Sequence, residues 1–290
     1  YALIQPLEQR FGVHYAMGGT TAIIAALGGL LERAGVDVVL GDSVARVQTR
    51  GARVTSIDLD SGRSLPCDVA RSAGDPVTLY TKLLPDGGKH AATRRRAMRM
   101  KLSMGLFVSY FGTAKTSPDL ARHTILLSNR YKELLTDIFD RGVVPEDPSL
   151  YVHAPTRTDP SMAPDGSECF YALAPVPNLK LFDDWSGKSD HLHDVVLERI
   201  ERQLAPGLRD ALTTKFAVTP AYFDSALQSP YGAGFSVQPT LSQSAYLRFH
   251  NRCTHYRNLY LAGAGTHPGA GMPGVISSAK VLDEVVPDPA

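Results

Sequence analysis

Residues Asn258–Lys280 read NLYLAGAGTHPGAGMPGVISSAK, and the fold turns on how this stretch is understood. Five glycines and two prolines fall within Gly263–Gly274. The apolar run Leu259–Ala262 predicts a strand, and Gly274–Val286 predicts a helix, with Pro273 suited to its first turn. Five positions without Cβ let backbone approach a ligand closely, while Pro268 and Pro273 stiffen the loop by fixing φ. Unpaired N–H groups at the helix start favour a polar or anionic ligand edge. A tight crossover that serves only packing has the same composition.

Two phosphate-binding patterns fail here. A dinucleotide fingerprint needs G-x-G-x-x-G, but Pro268 stands at the third glycine position. Its acidic partner lies about 20 residues on, ending a second strand; Asp283 has that spacing but falls in the last predicted helix. A P-loop needs Gly-Lys-Ser/Thr, and none of these glycines precedes a lysine.

Outward from the loop, Thr20 or Thr21 is expected to cap a helix carrying Ile23, Ile24, Leu27, Leu30 and Leu31, with Gly35 as its stop. Val36–Leu40 predicts a strand. Val44–Thr49 and Arg53–Leu59 predict a hairpin around Arg50-Gly51, and Leu65–Ala70 a further strand after the Asp60–Gly62 turn. In the middle, Leu106–Phe111, Leu150–His153 and Cys169–Ala174 predict strands. Tyr131–Phe139 and His191–Leu204 predict helices, the second capped by Ser189 or Asp190. No βαβ rhythm appears, which favours an α+β middle part.

Composition narrows the classes. The 290 residues are 43% hydrophobic and 20% charged, with a net charge of +1, so no nucleic-acid footprint is present. Cys67, Cys169 and Cys253 are scattered without a CxxC, which argues for a reducing compartment. Gly12–Leu31 and Asn258–Ser278 carry no Asp, Glu, Lys or Arg, but glycine interrupts both and they are expected as buried elements rather than spans. The basic segment Lys89–Lys101 (KHAATRRRAMRMK) reads first as a solvated helix face. Attraction to an anionic membrane is its other reading, weakened because only Ala97, Met98 and Met100 offer an apolar side. The chain opens on Tyr1 with no signal-peptide pattern and is expected to be a piece of something longer.

The closing string LYLAGAGTHPGAGMPGV resembles the C-terminal flavin signature of the bacterial phytoene desaturase family of FAD-dependent oxidoreductases. HYAMGGTTAIIAAL is similar to that family's Gly-Gly-Thr segment. SLYVHAPTRTDPSMAPDG and YALAPVPNL resemble its middle stretches, and YGAGFSVQPTLSQSAYLRFHNR the lead-in to the flavin signature. The likeness runs from Tyr1 to Lys280, about the C-terminal three-fifths of a family member. It departs at Ala16-Met17, where the family reads Pro-Glu, and at Ser72-Ala73-Gly74-Asp75, where it often reads Ser-Asn-Ala-Asp.

The resemblance implies an α/β plus α+β architecture. An FAD-binding domain lacking its N-terminal GxGxxG unit would hold residues 16–75 and 241–290. A substrate domain would take 76–240, and 1–15 would be the end of the substrate domain. It implies that Gly263, Ala264, Gly265 and Thr266 approach the ribityl–phosphate region of FAD. Met272, Pro273, Gly274 and Val275 would face the ring system, and the Val44 backbone the adenine. Helix N–H groups there suit the charge that a reduced flavin gains. The implied reaction is desaturation of phytoene or a related C30 or C40 polyene dissolved in lipid, at the inner face of the cell membrane. An inactive or partner-dependent fragment stays open, as do a carotenoid ketolase, a retinol saturase and an amine oxidase.

A hydrocarbon offers no polar handle, so an apolar tunnel is expected. LFVSYF and FYALAPV would line it or form plain core strands. Glu133, Asp224 and Asp75 are candidate proton acceptors, with nothing local to single one out, so no catalytic residue is assigned. His267 tunes the flavin or bonds backbone. His191-x-His193 and the His250/His255 pair lack metal-site spacing, so no metal is expected.

Overall fold

Two turn signals and alternating side chains build the first sheet. In the computed structural model, which describes residues 4–117 and 119–287, β1 (Val44–Arg50), β2 (Arg53–Leu59) and β3 (Ser64–Pro66) form an antiparallel meander in that order. Gly51 makes the first turn at φ 62°. The expected strand Leu65–Ala70 divides. Pro66 has no N–H to extend the ladder, and the chain re-enters a different sheet as β4 (Ala70–Ser72), paired in parallel with β10 (Leu259–Leu261). Asn258 joins the two sheets: its side chain accepts from Val54 N at 2.9 Å and donates to Val54 O and Asp68 O.

Two helices precede the meander, α1 (Ile4–Phe11) and α2 (Gly19–Arg33). The cap of α2 is neither Thr20 nor Thr21. Gly18 takes that place at φ 84° without a side-chain bond, a left-handed conformation that a β-branched residue resists. Its amide donates to Asp159 Oδ2 at 2.6 Å. At the other end Gly35, at φ 68°, closes a Schellman stop, with Val36 N on Leu31 O and Gly35 N on Glu32 O. Val36–Leu40 is not a strand: it makes no ladder, because no neighbouring strand lies alongside it among the described residues.

The middle of the chain forms a five-stranded antiparallel sheet in the order β6 (His123–Leu126), β7 (Leu150–His153), β8 (Glu168–Val176), β5 (Gly105–Thr113), β9 (Leu212–Val218). One face packs on α6 (Lys188–Gln203) through Phe107, Phe111, Phe170, Val196 and Ile200. Each such buried side chain stabilises by roughly 1.5–3 kcal/mol. Gly187, left-handed at φ 67°, precedes α6 in place of the expected Ser189 or Asp190 cap. The helix expected over Tyr131–Phe139 is α5 (Tyr131–Thr136) followed by a π turn, Asp137–Arg141.

A second core joins the meander, the parallel pair, α3 (Pro76–Thr78) with its π turn to Leu83, and α4 (Ala91–Arg99), through Val54, Leu79, Tyr80, Phe249 and Leu261. The short α7 (Pro220–Ser225) and the closing α8 (Met272–Val285) complete the fold. β10 is buried as expected, but α2 is not. Only Gly19 of α2 is buried, and Ile24 is 64% exposed with Leu27 and Leu30 beside it. The apolar face of α2 has formed without a surface to cover it. No helix is long and apolar enough to cross a membrane among the described residues.

Candidate functional site

Because β4 and β10 run parallel, their C-terminal ends emerge on one edge. Ligands of open α/β sheets bind beyond such ends. The loop after β4 is Ala73-Gly74-Asp75, and the loop after β10 is the glycine stretch. They press together. A Cβ on Gly263 would lie 2.8 Å from Ala73 O, and one on Gly265 would lie 2.3 Å from Pro76 Cδ. These two glycines therefore serve contact between the chain's own loops. Gly274 likewise abuts Gly269 O at 2.6 Å, whereas nothing lies within 4 Å of a Cβ on Gly271.

Four polar residues hold the loop. Ser278 Oγ accepts from Gly263 N at 2.8 Å and donates to Val275 O, tying the loop to α8. Asn251 Nδ2 donates to Leu261 O and His267 O. The buried Arg248 donates to Ala264 O at 2.6 Å from Nη2. Thr266 Oγ1 returns to Gly263 O. Arg248 and Asn251 lie in a segment that sequence reading matched to the family without giving them roles. Neither follows a periodic pattern or a motif, so only their burial reveals them.

The start of α8 is left open. Gly271, at φ 96°, supplies no side-chain cap, and Met272 is half exposed. First-turn N–H groups without a side-chain acceptor favour a polar or anionic ligand. His267 is exposed and its backbone, not its ring, is engaged, through Phe249 O and Asn251.

Two cavities flank Ser72. One, about 240 Å³, is walled by Val44, Val47, Ile57, Cys67 and Leu79. The other, about 230 Å³, is walled by Gly74, Asp75, Thr78, Leu83 and the turn Ala226–Gln228. Val44 thus borders one cavity and Asp75 the other, with Ser72 and Leu83 lining both. The Asp75 carboxyl accepts from Val77 N at 2.7 Å, capping α3. Burial raises its pKa above the ordinary carboxylate value, against that bond and the Arg248 charge. Of the other acids, Glu133 is exposed on α5 and Asp224 lies on α7, just before the Ala226–Gln228 wall.

The five-stranded sheet has a second face. Register aligns Phe216, Tyr110, Tyr171, His153 and His123 in one row across all five strands. Successive ring centroids are 4.8, 6.0, 5.1 and 4.7 Å apart. At strand spacing the row is about 19 Å long. LFVSYF and FYALAPV divide between the two faces of the sheet: Phe107, Phe111 and Phe170 enter the core, as expected of core strands, while Tyr110 and Tyr171 turn to the row. At its end the Tyr151 hydroxyl and His123 Nδ1 share a hydrogen bond of 2.7 Å. Burial, then the charges of His123 and Arg122, lowers the His153 pKa to about 4. No sequence motif announces the row, since its five members come from five segments.

Elsewhere, His193 is buried edge-on against Phe107 and His255 Nε2 meets Thr93. Among the described residues no three His, Cys, Asp or Glu side chains are grouped to hold a metal.

Comparison with known proteins gives a family, two relatives and a similar fold. The profile of a family described as flavin containing amine oxidoreductase matches residues 1–281. The chain is 45% identical to the lycopene-forming phytoene desaturase of a Paracoccus species, over 99% of this chain and 57% of that protein. It is 42% identical to the neurosporene-forming phytoene desaturase of Rhodobacter capsulatus, over 99% of this chain and 56% of that one. The chain therefore spans somewhat over half the length of these relatives. Its fold is similar to an oxidoreductase from Methanosarcina mazei at a TM-score of 0.65 and 18% identity, covering 96% of this chain and 57% of that structure.

Proposed function

Because this chain belongs to the flavin containing amine oxidoreductase family, we propose that it is the larger part of an FAD-dependent desaturase of phytoene or a related C30 or C40 polyene. The observation that carries this reading is the glycine loop at the edge of the parallel pair, whose Gly263 and Gly265 pack on the loop after β4 and which leads into an uncapped helix start with an open position at Gly271. That donor set fits the ring end of a flavin. Met272, Pro273, Gly274 and Val275 would hold the ring edge through first-turn N–H groups. Gly263, Ala264, Gly265 and Thr266 would shape the ribityl–phosphate turn, and Val44 would meet adenine. When bound, FAD supplies hydride acceptance from a carbon of the substrate.

The chain's own residues bind and orient. Arg248, Asn251 and Ser278 fix the loop, so that the α8 amides point one way without reorganisation. The row from Phe216 to His123 offers ring faces to a long hydrocarbon, which has no polar group to grip. Asp75 keeps its carboxyl within the ligand-facing loop. The substrate reaches the enzyme from lipid, which places the protein peripherally on a membrane.

A second reading has its own observation. The bare apolar face of α2 and the unpaired Val36–Leu40 segment suit a covering dinucleotide-binding unit with GxGxxG, without which the chain is inactive. Phytoene conversion by the full-length parent in liposomes tests the first reading, and absence of desaturated product overturns it. The visible spectrum of the purified 290-residue chain tests the second. A stoichiometric flavin spectrum refutes dependence on a covering unit.

A further inference from the structure

Helix α4 carries Arg94, Arg95, Arg96 and Arg99, and no Asp or Glu occurs between Gly87 and Pro118. Arg94 is paired with Asp86, but Arg95 and Arg99 are exposed and join no ion pair among the described residues. On sequence alone the helix lacks the apolar side that an interfacial element needs. The fold supplies it from a distant segment, reached where Gln243 meets Lys101, 142 residues apart. Two 3₁₀ turns, Leu241–Gln243 and Ala245–Leu247, dock against the C-terminal end of α4. The Gln243 side chain accepts from Lys101 N at 2.9 Å and donates to Lys101 O, and Arg96 donates to Leu247 O.

This docked loop holds its apolar groups outward. Leu241 is 95% exposed and Tyr246 78%, with Met98 of α4 61% exposed. The loop belongs to a second acid-free stretch, Ser225–Leu282. Two acid-free stretches thus meet, one giving cations and the other protruding apolar tips. The molecule as a whole has a net charge of only +1, so the positive charge is local to this face.

We propose that α4 and the Leu241–Leu247 loop form the docking face for an anionic phospholipid bilayer, with Leu241 and Tyr246 entering the headgroup region. The inference rests on the reading that the substrate resides in lipid. Charge complementarity selects the partner: arginines near an anionic surface are attracted to it, and Tyr suits the interface because it is apolar with one polar tip. A nucleic acid satisfies the arginines but offers no apolar phase to Leu241.

The test is flotation of the purified chain with polyene-free vesicles of phosphatidylcholine, alone or mixed with phosphatidylglycerol. Absence of polyene keeps the outcome separate from catalysis: a failed desaturation assay leaves it untouched, and failed flotation leaves the flavin reading intact. Flotation is expected with phosphatidylglycerol and is expected to fall as salt shortens the Debye length to about 3 Å at 1 M. Arg95→Gln with Arg99→Gln should lower partitioning about thirtyfold, from roughly 1 kcal/mol per basic residue. Leu241→Ser with Tyr246→Ser, at largely exposed sites, should lower it as well. Equal flotation with both vesicle types, no flotation, or full binding by the serine variant overturns the proposal. The last result, with capture by a single-stranded oligonucleotide, would make the face a plain polyanion patch.

Discussion

At His153 both ring nitrogens are buried without a hydrogen-bond partner. Burial lowers the pKa from the ordinary 6.5 to about 4. An unfolded chain takes up this proton near 6.5, the folded chain only near 4. Between those values the unfolded state holds more protons, so stability falls as pH drops. The contribution is complete above 6.5 and lost on the way down to 4. His123 is lowered likewise, by burial and then by the Arg122 charge, and acts in the same direction. His153→Phe keeps a ring in the row and removes the titrating group. Its urea midpoint should change less than the parent's between about pH 7 and about pH 5. Equal changes would show that His153 is free to ionise in the folded chain. His153 could be read in the sequence only as one histidine among nine, because its neighbours in the row lie on other strands.

The element that matters most is the glycine loop, and its glycines divide by what they touch. Gly265 packs on Pro76 and on Ser236, where an added Cβ would sit 2.7 Å from Oγ. Gly265→Ala therefore forces the two loops apart and should cost about 1–3 kcal/mol, the usual range for overpacking. Chemical denaturation measures it, and a cost within about 0.5 kcal/mol would mean that the loops adjust freely. The strand, loop and closing helix were legible from composition and proline placement. That Gly263 and Gly265 face the chain itself was not, because Ala73 and Pro76 lie about 190 residues away in the chain order that the parallel pairing folds back. Caps were the least legible feature. Gly18 and Gly187 start helices by backbone conformation, where a polar side chain was expected.

Across the molecule, two hydrophobic clusters form around separate sheets. Trp185 is the single tryptophan. It stacks on Phe107 at 6.3 Å within the cluster of the five-stranded sheet. Its fluorescence should therefore report that cluster, while far-UV circular dichroism reports both. Denaturation followed by the two signals is expected to give non-coincident transitions. Leu84→Ala, in the other cluster and 2% exposed, should destabilise by about 2–5 kcal/mol in the dichroism. The tryptophan midpoint should stay in place. Coincident transitions that move together in the variant would show one cooperative core.

What the sequence by itself determined about this protein is its family, the hairpin at Gly51, the three central strands of the middle sheet but not its edge strands His123–Leu126 and Leu212–Val218, and the strand–loop–helix at the end. Turn chemistry, period-2 alternation and proline position act between near neighbours, so a linear reading finds them. Only the tertiary structure decided which glycines touch protein, and which strand residues enter the core. It also decided that Arg248 and Asn251 hold the loop, and that Leu241 and Tyr246 stand beside α4. Each of these depends on register and closure between distant segments, whose partners are chosen by packing over the whole chain. The bare face of α2 shows the same division: its helical periodicity is local and legible, but whether anything covers it is a tertiary fact.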